Sequence, residues 1–152
     1  MGCITRMTLP TRQEINPYDD LDGRVACKHF FGKGLEEAEA LFRENDIYYQ
    51  SDLMWMGAVA FRFYLPAAAR FIQNAGDVSD FVAHFASTLE FRLEYEAQEL
   101  TPVAPQLIEL CDYLLQHWST FEEGTAAYDD VGVRYMSLRE SFSRLAQKEV
   151  KL

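Results

Sequence analysis

A chain of 152 residues that is 49% apolar, with eleven Phe, eight Tyr and two Trp, has the length for one domain with a sizeable core and is far too aromatic to be a disordered acidic chain. Its formal charge of −10 disfavours nucleic acid and anionic lipid as partners. The cysteines Cys3, Cys27 and Cys111 are odd in number and form no CxxC pair, which points to a reducing compartment rather than a disulfide framework.

Residues 1–30 carry Pro10, Pro17 and Gly23 without a helical period and read as an irregular N-terminal segment, with a short edge strand over Cys3–Leu9. No apolar run of signal-peptide length falls within them. Gly2-Cys3-Ile4-Thr5-Arg6 misses the myristoylation pattern at Arg6. A bacterial cytoplasm is the expected location. Asp19-Asp20-Leu21-Asp22-Gly23 hints at a calcium loop, but Tyr18 and His29 stand where acids are needed, so a solvated turn is expected. Gly32-Lys33-Gly34 precedes a helix as phosphate loops do, yet Glu36 and Glu37 would repel a phosphate there. Leu35 to Arg43 reads as a short amphipathic helix with Leu35, Ala38, Leu41 and Phe42 on one face, and Asn45-Asp46 as a turn.

The stretch Ser51 to Phe71, SDLMWMGAVAFRFYLPAAARF, reads as the centre of the fold. Ser51 is the expected N-cap, with Asp52 placed to suit the helix dipole. Between Leu53 and Leu65 the only charge is Arg62, and apolar residues occupy every face, the pattern of a helix buried all round. Gly57, Ala58 and Ala60 leave room for close neighbours. Pro66 is expected to end or kink this helix and to start another, running to Asn74. Arg62 and Pro66 in its interior argue against a membrane span. Arg62 is expected to organise the core through an ion pair, because an unpaired buried charge is costly.

The segment Phe61-Arg62-Phe63-Tyr64-Leu65-Pro66-Ala67 resembles an uncharacterised family of small bacterial domains whose central helix carries F-R-x-Y-L-P-A. That resemblance implies no activity. In size and charge the chain is also similar to toxin-neutralising immunity proteins.

Beyond Gly76, Asp77 is the expected cap of a helix reaching Glu99, with Val78, Val82, Phe85, Leu89 and Leu93 as its stripe. Thr101-Pro102 breaks it. Pro105 starts a helix to Phe121 with Leu107, Cys111, Leu114 and Trp118 inward. A last helix from Val131 to Lys148 turns Val131, Tyr135, Leu138, Phe142 and Leu145 inward and carries Arg134, Arg139, Arg144 and Lys148 outside. The expected architecture is an all-α, single-domain bundle of five to six helices over residues 1–152.

Two sites are in view. Asp80 and His84, at i and i+4, share a helix face and suggest a metal-dependent enzyme, with Asp112 or His117 as a distant third ligand. The plainer reading has Asp80 stabilising the helix start and His84 at the core rim. His29 and His117 read as structural, and Cys111 as an inert buried thiol. Against this stands charge: residues 74–130 hold twelve acids and only Arg92, net −11, while residues 131–152 are net +3 and residues 1–73 net −2. Lys is absent from 74–130, whereas soluble surfaces normally mix both signs. Glu90, Glu94, Glu96 and Glu99 on one helix, and Glu109, Asp112, Glu122 and Glu123 on the next, form the expected acidic face. Tyr95, Tyr113 and Tyr128 are its candidate anchors. The leading expectation is a non-enzymatic module without cofactor that holds a basic protein partner, most concretely a toxin.

Overall fold

The computed structural model describes residues 8–150. Helix takes 79% of the chain and no strand occurs among the described residues, so the all-α expectation holds. Most of Cys3–Leu9, the expected edge strand, lies outside the described residues.

The helices are α1 (Arg12–Ile15), α2 (Leu21–Phe30), α3 (Leu35–Glu44), α4 (Asp46–Trp55), α5 (Ala58–Asn74), α6 (Ser79–Glu96), a 3-10 helix (Ala97–Val103), α7 (Ala104–Gln116), α8 (Trp118–Phe121) and α9 (Val131–Val150). That is more than five or six, and the surplus has physical causes. The N-terminal segment is not irregular: Thr11 and Glu14 cap α1 reciprocally, and Asp20 caps α2 through the Gly23 N–H. What read as a solvated acidic turn is therefore a helix start. Ala26 and Phe30 of α2 are buried. The helix expected to reach Phe121 ends at Gln116, and α8 follows as a separate turn.

The central stretch departs furthest from expectation. Ser51 lies inside α4, whose cap is Asn45, and the chain breaks at Met56-Gly57. There the Gly57 N–H donates to the Ile15 carbonyl at 2.9 Å. A Cβ on Gly57 would sit 2.2 Å from the Glu14 carbonyl oxygen, so only glycine lets α1 approach this closely. Pro66 ends nothing: α5 runs through it to Asn74. The lost hydrogen bond is offset by packing, since Leu65, Ala67, Ala68, Phe71 and Ile72 beyond it are all buried.

α3 packs on α5, α4 on α6 and α7 on α9. A relay of aromatic rings joins α2, α3, α5 and α6: Phe42 touches Phe30, Phe71 and Phe81, and Phe85 touches Phe81 and Phe61. Each such ring contributes about 1.5–3 kcal/mol by leaving water. The expected stripes of α7 and α9 are buried as written, apart from half-buried Trp118.

The guanidinium that organises the core is that of Arg92, not Arg62. Arg62 lies half exposed on α5 and donates to the Glu99 carbonyl and carboxylate at 2.8 and 3.0 Å. Arg92 is 2% exposed. It donates to the carbonyls of Leu53 and Met56 at the C-terminal end of α4 and to the Glu96 carboxylate, and lies 4.3 Å from the Phe61 ring centre. A cation here suits the negative end of the α4 dipole and satisfies carbonyls that lack helical partners.

Arg92→Met is expected to cost about 3–5 kcal/mol in urea unfolding, because it strips the charge partner of Glu96 and leaves buried carbonyls unpaired. Arg62→Met is expected to cost about 1 kcal/mol or less, since that pair stays in solvent. Equal losses in the two variants would refute this assignment.

Candidate binding groove

The acids of the expected face differ in their pairing. α9 folds its arginines onto two of them: Arg134 donates to both Glu90 oxygens at 2.7 and 2.9 Å, and Arg139 to Asp112. Glu99 is held by Arg62. Glu94, Glu109, Glu122 and Glu123 are exposed and have no ion-pair partner among the described residues. Among the anchors, Tyr113 is half buried against the His117 ring at 4.4 Å, and Tyr128 donates to Asp80 at 2.7 Å. Tyr95 alone is open, 69% exposed.

Tyr95, Glu96 and Glu99 instead belong to a groove of about 840 Å³. One wall is α1 and the turn after it, with Glu14, Pro17, Tyr18 and Asp20. The floor is the α4–α5 junction, with Trp55, Gly57 and Val59. The far wall is the end of α6, with Phe91 and Tyr95. The local sequence explains the opening. Met56-Gly57 carries the chain out of α4 in extended backbone, which turns Trp55 and Val59 outward, 44% and 42% exposed. Trp55 meets Phe91 edge to face at 5.3 Å, and Phe91 meets Tyr95 at 4.9 Å. Tyr18, 81% exposed, stands on the opposite wall.

The rim is acidic: Glu14, Asp20, Glu96 and Glu99 line the groove with one cation, Arg92, whose donors are turned inward. Each carboxylate is held by one oxygen. Glu14 Oε1 takes the Thr11 N–H, Asp20 Oδ1 the Gly23 N–H, Glu96 Oε1 a donor of Arg92, and Glu99 Oε1 a donor of Arg62. Their second oxygens have no partner among the described residues. Glu90, Glu94, Glu109, Asp112, Tyr113, Glu122 and Glu123 do not line this groove. Trp55, Val59, Tyr18, Glu14 and Asp20 were absent from the expected site. The available signal was a Trp directly before Met56-Gly57, where a helix stop exposes the last turn.

The catalytic alternatives find little geometry. Asp80 is engaged by Tyr128, and His84 packs against the Tyr128 ring at 5.6 Å. No group of three His, Cys, Asp or Glu side chains gathers among the described residues, so neither His117 nor Asp112 joins them. At the start of α3, the Glu37 carboxylate occupies the Gly34 N–H, where a phosphate would need to bind. Burial pushes the Cys111 thiol up to about 12, as befits an inert thiol.

One dyad was missed. His29 Nδ1 shares a 2.6 Å hydrogen bond with Asp52 Oδ2, and Tyr48 Oη lies 3.2 Å from His29 Nε2. Both dyad members are largely buried. The link ties α2 to α4. Burial pushes the Asp52 carboxyl above the usual carboxylate range, and the hydrogen bond and charge of His29 pull it part of the way back.

His29→Leu removes that restraint, so the Asp52 carboxyl rises further. A raised carboxyl binds its proton more tightly folded than unfolded, so stability is present at low pH and lost as pH rises from the ordinary 3.8 through the folded value. Urea midpoints of His29→Leu are expected to fall over that window, and to stay flatter once Asp52→Asn is added. A midpoint that rises with pH there would contradict the assignment.

No helix among the described residues is long and apolar enough to cross a membrane. Comparison with known protein families, with curated proteins and with solved structures finds no match to this chain.

Proposed function

We propose that this chain is a cytoplasmic protein-binding module that holds a basic protein partner, and that the docking surface is the groove between α1, the α4–α5 junction and the end of α6. The observation that carries the reading is the coincidence of exposed Trp55, Tyr95, Tyr18 and Val59 with a rim of four carboxylates. Interfaces draw most of their affinity from a few aromatic anchors in a desolvated pocket, while surrounding charge sets encounter rate and orientation. The groove supplies both.

A net charge of −10 draws a basic partner in, and Glu94 and Glu109, exposed and without an ion-pair partner among the described residues, extend that attraction beyond the groove. The face formed by Glu90, Asp112 and α9 contributes less, because arginines already neutralise it. The most concrete form of the function is neutralisation of a bacterial toxin, whose positively charged working surface the groove would cover.

A photo-reactive residue at Val59, irradiated in the source cells, is expected to cross-link one basic protein. With that protein purified, Trp55→Ala and Tyr95→Ala are each expected to weaken binding by about 2 kcal/mol, and association is expected to slow as salt rises. Equal cross-linking from Met136, on exposed α9, or unchanged affinity in the folded Trp55→Ala,Tyr95→Ala variant, would rule the groove out as the docking surface.

A further inference from the structure

The arrangement of rings and carboxylates in the groove goes further than a generally basic partner. The geometry points to an arginine side chain of that partner as the ligand, its guanidinium lying against Trp55 and Tyr95 and donating to the free oxygens of Glu96 and Glu99. This rests on the protein-binding reading above and specifies its chemistry.

Three features favour a guanidinium. First, Trp55 on the floor and Phe91 and Tyr95 on the far wall are in ring-to-ring contact, and a cation over such rings is attracted by their negative faces, with Trp the strongest. The chain already uses this pairing twice, with Arg92 4.3 Å from the Phe61 centre and Arg12 4.0 Å from that of Phe31. Second, the carboxylates are spread around the rim, each fixed by one oxygen and open at the other. A planar fork with five donors reaches several separated acceptors at once, whereas a lysine ammonium offers a compact point charge. Third, among the described residues no cation fills the groove. Arg92 faces the core, and Arg62 approaches only Glu99, from a half-exposed position.

The test follows the indole N–H resonances of Trp55 and Trp118 in the full chain, titrated with N-acetyl-arginine methylamide, the lysine analogue and the neutral citrulline analogue. Arginine is expected to shift Trp55 saturably and to leave Trp118 in place. Lysine is expected to bind about fivefold more weakly, and citrulline not to saturate. Glu99→Gln, which leaves the buried Arg92 site intact, is expected to weaken arginine binding about threefold. Citrulline binding as well as arginine, or no saturation by arginine, overturns the inference. If arginine fails while Val59 still cross-links a basic protein, the arginine ligand falls and the docking surface stands. If both fail, both fall.

Discussion

A single buried guanidinium decides how this chain packs. Arg92 joins the end of α4, the face of Phe61 on α5 and the last turn of α6 at one point. Burying such a charge is costly, and its desolvation lowers the readiness of the guanidinium to hold its proton. The site compensates with two carbonyls, one carboxylate and one ring. The geometry tolerates little adjustment, so α4 must stop where it does. That stop places Trp55 and Val59 at the surface and opens the groove. The core and the candidate site are two sides of one constraint.

The same device recurs with hydroxyls. Tyr64 of α5 donates to the carbonyls of Phe30 and Lys33, closing the C-terminal end of α2, and Tyr135 of α9 donates to the Val82 carbonyl of α6. Burial pushes the Tyr64 phenol up to about 12 and Tyr135 well above its ordinary value, so both remain donors across the physiological range. At the end of α2, carbonyls that would otherwise be buried bare are sealed by a side chain from α5, whereas Tyr135 ties α9 to the first turn of α6. Charge is handled similarly between segments: the basic surface of α9 lies against the acids of α6 and α7, and the segregation seen along the chain is partly cancelled in space.

The periodic segments were legible because stripes such as Leu107, Cys111, Leu114 and Tyr135, Leu138, Phe142 carry their own geometry. The first thirty residues were not, because α1 and α2 are specified by caps at Thr11 and Asp20 rather than by a long apolar stripe, and caps are hard to distinguish from turns in a sequence. Pro66 misled because local propensity yields to tertiary burial. Choosing between Arg62 and Arg92 required knowing which helix face meets α4, although the sequence held a clue: Arg92 is the lone base among twelve acids. Of the residues that line the groove, Tyr95 and Glu99 were legible as an exposed aromatic among carboxylates. The groove was not, because its other wall comes from residues nearly eighty positions away.

That other wall has a thermodynamic consequence. α1 is four residues long, anchored by buried Ile15 and by the Gly57–Ile15 backbone bond, far less than secures α5 or α6. Segments so lightly held detach at a free energy well below that of global unfolding. The groove is therefore complete only while α1 is seated, and intrinsic affinity is scaled by the fraction of molecules in that state. Bound ligand would in turn protect the amides around Gly57 from hydrogen exchange, coupling occupancy to order at the beginning of the fold.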